Sequence, residues 1–189
     1  PTRSDDGRFV AFRSSADNLG PSVTVFTDNI YLYDTVLDSM ILVSKSSDGT
    51  PADDDSYAPV MSGNGQTIVY ASTATNLVAN DTNDEVDIFV YRLGFESVER
   101  VSVTTDGTEG SLGTRFGYAQ ISTDGNKVAF ISESPELAGL LDPIDYTVFV
   151  HDRLSGETSV VGDLTTNDAA SAFKRRAYLN GDGSIVWLI

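Results

Sequence analysis

Residues 124–130 read Asp-Gly-Asn-Lys-Val-Ala-Phe, a turn dipeptide followed by a short apolar run. The pattern recurs as DGRFVAF at residues 6–12, as NGQTIVY at 64–70 and as DGSIVW at 182–187. The second residue of every copy is glycine, and the glycines at positions 7, 65, 125 and 183 are 58, 60 and 58 residues apart. Self-similarity at a fixed period of this length is typical of repeat architectures.

Each period contains four candidate strands. In the second copy they lie at residues 57–62, 67–72, 87–91 and 99–103, and in the third at 118–122, 127–132, 147–151 and 158–161. Asn-Gly and Asp-Gly between the first two strands favour a tight hairpin, because both residues tolerate a positive φ. The second and third strands are apolar on both faces, as expected of sheets stacked between other sheets. Four antiparallel strands repeated in this way predict the blades of a β-propeller.

The predicted fold class is therefore all-β, a β-propeller segment of about three and a half four-stranded antiparallel blades. Single blades are expected at residues 1–56, 57–116 and 117–176, with the start of a fourth at 177–189. Closed propellers have about four to eight blades. We therefore expect the segment to be completed by further blades of the same chain or by a second subunit, and alone to oligomerise or aggregate.

The motif Ser-x-Asp-Gly-x-x-Val-Ala-Phe at residues 4–12 and 122–130 resembles the TolB-like, WD40-like (PD40-type) β-propeller repeat of prokaryotic proteins. Residues 81–90 are also similar to secreted members, in which an Asp-Thr-Asn-rich loop precedes the third strand. The first and third copies depart from that loop at residues 23–25 and 141–143. The resemblance implies protein–protein interaction as the usual mode of action and a prokaryotic, secreted, periplasmic or cell-surface location.

Composition excludes several classes of partner and chemistry. The 12 basic and 28 acidic residues give a net charge of −16, which argues against nucleic acid and anionic membranes as partners. No apolar run is long enough for a membrane span. The absence of cysteine excludes disulfides and thiol catalysis. Of the acids, 21 are Asp and 7 are Glu, and Asp is typical of turns and of sites for hard cations.

One loop has spacing suited to such a cation. Asp81, Asn83 and Asp87 could supply oxygen ligands to Ca²⁺ from alternating loop positions, so calcium is the one candidate cofactor. The segment lacks the glycine and the final glutamate of an EF-hand. The alternative interpretation is an Asx-turn that leads into the third strand. Residues 53–55, three consecutive aspartates, are interpreted as a solvated loop tip that could assist a cation.

The sequence predicts no catalytic residues. His151 is the sole histidine, and it occupies a third-strand position where other copies have tyrosine, so we interpret it as a packing or surface residue. No nucleophile-elbow motif accompanies it. The recurring strand aromatics are assigned to the core between blades. The basic cluster at residues 174–176 is interpreted as a solvated loop.

Three functions remain open from these observations. The first is a non-enzymatic module for protein binding or scaffolding. The second is a structural subunit of an extracellular assembly, completed by strand pairing between subunits. The third is the propeller domain of a larger peptidase of the prolyl-oligopeptidase type, with its catalytic domain outside these residues.

Overall fold

The computed structural model describes residues 1–20, 27–114, 119–141, 146–163, 177–181 and 183–188. Its strands are β1 Thr2–Arg3, β2 Phe9–Ser14, β3 Asn29–Asp34, β4 Ser39–Leu42, β5 Ser56–Met61, β6 Thr67–Ser72, β7 Asp87–Arg92, β8 Ser97–Arg100, β9 Gln120–Ile121, β10 Lys127–Ser132, β11 Thr147–Asp152, β12 Glu157–Asp163, β13 Ala177–Leu179 and β14 Ile185–Leu188. Within the described residues the helical content is one 3-10 turn, Pro135–Ala138, and none of their helices could cross a membrane.

The strands form three four-stranded antiparallel sheets in chain order, β1–β4, β5–β8 and β9–β12, here called blades one, two and three. The pair β13–β14 begins a fourth blade. This arrangement confirms the predicted all-β class and the repeat. The edge strands β1, β5, β9 and β13 contact one another in that order, so each blade is placed beside the next.

A repeated polar turn explains why the Ser-x-Asp/Asn-Gly motif forms the first hairpin of each blade. In blade three the Ser122 hydroxyl donates to Asp124 (2.6 Å) and accepts the amide of Lys127 (2.9 Å). The other side of the turn is closed by the Asn126 amide, which donates to the same carboxylate oxygen of Asp124 (3.0 Å). Gly125 has a φ of +79°, which favours glycine. Ser4 with Asp6, and Ser62 with Asn64, make the same bonds in the other two blades.

The core lies between the blades, as the double-sided apolar pattern predicts. All six residues of β6 are buried. One face of β6 and β7, including Tyr70 and Phe89, packs against blade one, and the other, including Val69 and Ile88, packs against blade three. The strand aromatics assigned to the core are buried there: Phe9, Tyr31, Tyr70, Phe89, Phe130 and Phe149.

The predicted position of the fourth strand was wrong in blade two, where β8 is Ser97–Arg100 rather than residues 99–103. The ladder ends because the amide of Ile88 donates to the hydroxyl of Ser102 (3.0 Å) instead of to a backbone carbonyl. In blade three, β12 spans Glu157–Asp163 and extends beyond the predicted 158–161 at both ends. β9 is shorter than predicted, and residue 118 lies outside the described residues.

Candidate functional site

Blade two departs from blade one at the entrance to its third strand. Arg100 pairs with Phe89 in the ladder, and Leu42 pairs with Tyr31 at the same place in blade one. Asp87 likewise replaces Asn29 as the first residue of the third strand. Because blade one forms the same sheet without these charges, the fold itself does not require them.

The side chain of Arg100 contacts three carboxylates, and the four side chains form a cluster that is largely shielded from solvent. Its Nη1 lies 3.3 Å from Asp81 Oδ1 and 3.3 Å from Asp87 Oδ2, and it also contacts Glu109 Oε1. Nη2 donates to the carbonyl of Asn80 (2.9 Å), whereas the buried Nε has no partner among the described residues. The Arg100 side chain is only 7% exposed. The cluster carries three negative charges and one positive charge, a formal balance of −2.

The predicted ligand set is only partly brought together. One oxygen from each of Asp81, Asp87 and Glu109 lies within 4.8 Å of the other two, so two of the predicted residues meet an acid that the loop spacing did not reveal. Asn83 takes another role. Its Oδ1 accepts the amide of Glu85 (2.9 Å), which is an Asx-turn, and its Nδ2 donates to Asp87 (3.3 Å) and to Gly110 O (3.0 Å). Calcium binding at Asp81, Asn83 and Asp87 stays a prediction.

Burial and mutual repulsion set the protonation of these acids. Burial, followed by repulsion from Asp87, raises the pKa of Asp81 to about 7. Burial also raises the pKa of Asp87, although the Ser102 hydroxyl and Arg100 oppose the shift. Burial pushes the pKa of Glu109 upward, but hydrogen bonds from Thr82 and the charge of Arg100 bring it below its usual value. The cluster can therefore hold a proton near neutral pH.

His151 is a packing residue, as predicted. It is buried, and its Nδ1 lies 2.9 Å from Thr158 Oγ1. Thr158 donates its hydroxyl proton to the carbonyl of Val103, so the imidazole must donate from Nδ1 to the threonine oxygen. Burial lowers the pKa of His151, which keeps the ring neutral.

Two other charged segments were singled out from the sequence, the aspartates at residues 53–55 and the basic cluster at residues 174–176. Asp53 accepts the amide of Thr75 (2.9 Å), and Asp55 accepts the amide of Asp28 (2.8 Å). Two of the three consecutive aspartates therefore tie neighbouring loops together, in addition to lying at a loop tip. The basic cluster at residues 174–176 lies outside the described residues.

A second candidate site lies at the turns between the third and fourth strands. Each blade exposes large apolar side chains there: Val36 and Leu37 in blade one, Phe95 in blade two and Leu154 in blade three. Leu37, Phe95 and Leu154 are 67%, 69% and 79% exposed. These four residues are called the turn-tip row. Their recurrence at one place in the repeat distinguishes them from isolated surface hydrophobes, which are ordinary.

Two members of the turn-tip row border a groove of about 290 Å³ between blades two and three. Phe95 and Leu154 contribute its apolar surface, and Arg92 and Arg153 contribute its basic groups. Side chains from the first hairpins of both blades complete the lining, among them Gln66 and Asn126. The groove, called here the blade 2–3 groove, combines apolar surface with a few polar groups, as binding sites commonly do.

A wider cleft of about 670 Å³ lies between the same two blades, at the loop after β8 and the 3-10 turn. It is lined by hydroxyls of Thr104, Thr105 and Thr108 and by the carboxylates of Asp106 and Glu136. Among the described residues, its lining includes no histidine that could act as a general base for a threonine hydroxyl. Glu136 is already bonded to Ser111 (2.8 Å).

The whole chain is similar to solved β-propeller structures. No protein-family model matches the sequence, and no curated protein matches it. The structure of TolB from Acinetobacter baumannii matches over 99% of this chain and 36% of its own, with 17% identity and a TM-score of 0.54. The chain has the β-propeller fold.

Two further similar propeller structures come from peptidases. The β-propeller domain of the Trilobed protease from Pyrococcus furiosus matches over 87% of this chain and 40% of its own (15% identity, TM-score 0.52). Pyrococcus horikoshii acylaminoacyl peptidase matches over 95% and 26% (15% identity, TM-score 0.52). The chain thus spans about a quarter to two fifths of the length of these structures. The predicted resemblance to TolB and other PD40-type propellers is confirmed at the level of the fold.

Proposed function

We propose that this propeller is a non-enzymatic module that binds or scaffolds a protein partner through its turn-tip row. The observation that carries the proposal is the recurrence of Leu37, Phe95 and Leu154, large apolar side chains mostly exposed at equivalent turns of three blades. A periodic feature that the core does not use is typical of a recognition surface. Aromatic side chains and arginine, such as Phe95 and Arg92, are enriched in protein interfaces.

The energy available from this surface is adequate for recognition. Burial of apolar area contributes roughly 25 cal/mol per Å², so covering a leucine or phenylalanine contributes about 1.5–3 kcal/mol. Three such anchors supply several kcal/mol before the cost of association, and polar contacts would add specificity. The net charge of −16 disfavours nucleic acid and anionic lipid as alternatives.

Location and wider context belong to the same proposal. The acidic, cysteine-free composition and the Asp-rich loops suit a secreted, periplasmic or cell-surface protein. A structural subunit of an extracellular assembly, completed by strand pairing between subunits, is one alternative. The propeller domain of a larger peptidase is the alternative that the peptidase relatives favour.

The proposal is tested by affinity capture of cross-linked partners from the natural host. A triple variant, Leu37→Ser, Phe95→Ser and Leu154→Ser, should lose at least nine tenths of a partner that the wild type captures. Leu141→Ser is the matched control, because Leu141 is 97% exposed in a loop outside the turn-tip row. Equal capture by wild type and triple variant would contradict the proposal.

Catalysis is tested separately by hydrolase assays on the purified protein, which should give no turnover. His151→Ala should change local packing alone. A hydrolytic activity that this substitution abolished would show that the module is an enzyme.

A further inference from the structure

We propose that the blade 2–3 groove binds an extended segment of a protein partner in which a carboxylate is adjacent to an apolar side chain. The carboxylate would pair with Arg92, and the apolar side chain would lie against Phe95 and Leu154. This inference rests on the proposed function and names the chemistry of the partner.

Arg92 occupies a position that the repeat otherwise gives to a structural aspartate. It is the last residue of β7, and Asp34 and Asp152 are the last residues of β3 and β11. Asp34 Oδ1 accepts the amides of Val36 (2.9 Å) and Leu37 (3.2 Å), and Asp152 caps the equivalent turn in blade three. Arginine cannot accept such bonds, so blade two has given up a turn cap for a positive charge.

The guanidinium of Arg92 is available to a ligand. No ion pair involves it among the described residues, and Thr67, its neighbour across the β6–β7 ladder, is uncharged. It lies 4.2 Å from the centroid of the Phe95 ring, which holds a planar donor group beside an exposed apolar surface. Stacked arginine in this arrangement suits bidentate recognition of a carboxylate.

The other charged side chains of the groove already have partners within the protein. Arg153 is paired with Glu99, and it also donates to the carbonyl of Gly125. Asp124 accepts from the Ser122 hydroxyl and from the amide of Asn126. Arg92 is therefore the cation of the groove that has no ion pair among the described residues, and an anionic group on the ligand is the complement that it lacks.

The net charge of the molecule limits which kind of partner can supply that carboxylate. A net charge of −16 repels a strongly acidic partner or a polyphosphate, and it also opposes a second copy of this chain. A protein segment with one or two acids, on a partner that is neutral or basic elsewhere, satisfies both the local and the overall charge.

The test measures binding by fluorescence anisotropy of a labelled hexapeptide with the sequence Gly-Ser-Leu-Asp-Leu-Gly and an amidated C-terminus. In a second probe Asn replaces Asp. A third probe ends in Leu with a free C-terminal carboxylate. The Asp probe should bind the wild type at least tenfold more tightly than the Asn probe, and added salt should weaken it. The free-carboxylate probe distinguishes a chain terminus from a side chain as the source of the anion.

Matched variants connect binding to the groove. Arg92→Asp restores the aspartate of blades one and three, so it should fold normally yet lose at least tenfold in affinity for the Asp probe. Phe95→Ser should weaken all probes, whereas Leu37→Ser, outside the groove, should not. Equal affinity of the Asp and Asn probes for the wild type, or of the Asp probe for wild type and Arg92→Asp, would overturn the inference. Loss of the host partner in the triple turn-tip variant would still support the proposed function in that case.

Discussion

Replacing Arg100 with leucine should destabilise blade two through charge rather than through packing. Leu42 occupies the equivalent place in blade one and is buried there, so a leucine side chain suits this part of the blade. Without the guanidinium, Asp81, Asp87 and Glu109 face one another with no internal cation. Removing one partner of a buried ion pair typically costs about 3–5 kcal/mol.

Protonation of the cluster should change in the same direction. The pKa of Asp81 is already raised to about 7 in the wild type, where Arg100 opposes the shift, so loss of the guanidinium should leave the cluster more fully protonated at pH 7. The melting temperature should fall by about 10 °C, given about 2–4 °C per kcal/mol in a chain of this size. A raised folded pKa adds stability as the pH falls, so lowering the pH from 7 to 5 should stabilise Arg100→Leu more than the wild type and narrow the difference between them.

The assays are thermal and chemical denaturation of wild type and Arg100→Leu at pH 7 and pH 5, with calcium and with chelator. Adding Asp87→Asn, which reproduces Asn29 of blade one, should recover part of the loss. Calcium should raise the melting temperature of Arg100→Leu more than that of the wild type, because the ion replaces the lost guanidinium. Equal stability of Arg100→Leu and wild type at both pH values would refute the reasoning. If Ca²⁺ binds the wild type at the predicted loop, Asp87→Ala should abolish the calcium-dependent rise in melting temperature. A wild type whose melting temperature does not change with calcium would support the Asx-turn interpretation alone.

Three other predictions concern packing and pH. Gly65→Ala should lower stability by about 3 kcal/mol, because φ is +71° and an added Cβ would lie 2.7 Å from the Phe9 ring. Gly49→Ala, where φ is +90° but an added Cβ meets open space, should lower stability by about 1 kcal/mol. The denaturant midpoints of the two variants measure this difference. Tyr70→Phe should leave stability unchanged or raise it by about 1 kcal/mol, since the buried hydroxyl has no partner among the described residues, and a clear loss in thermal melts would reveal one. The lowered pKa of His151 means that the folded state binds fewer protons there, so the contribution of this residue to stability should fall as pH drops through 6.5, opposite to that of Asp81. In urea titrations, His151→Tyr should therefore gain stability relative to the wild type between pH 7.5 and pH 5.5, and an unchanged difference between the two proteins would contradict this.

The sequence predicts the blades well because local chemistry and burial repeat together. Asp124 and Gly125 specify a turn, and the apolar run after them specifies a strand buried on both faces, so the pattern and the structure agree. The end of β8 was misplaced because a side chain, the Ser102 hydroxyl, takes the place of a backbone acceptor. Hydrophobic periodicity carries no signal for that exchange.

The sites were harder to predict because they depend on residues distant in the chain. Loop spacing selected Asp81 and Asp87 but not Glu109, which is brought to them by the loop after β8. The sequence signal that could reveal these sites is a change of residue type at one position of the repeat. Arg100 stands where blade one has Leu42, and Arg92 stands where blades one and three have aspartate.

Site-specific photocrosslinking in the natural host tests the central claim, that a protein partner docks on the turn-tip row. p-Benzoylphenylalanine is placed at Phe95 or Leu154, with Leu141 as the exposed position outside the row. One crosslinked partner should be shared by the first two positions, and it should be lost when Arg92→Asp is combined with either probe. Crosslinks confined to the Leu141 probe, or the same partner captured equally from all three positions, would contradict the claim.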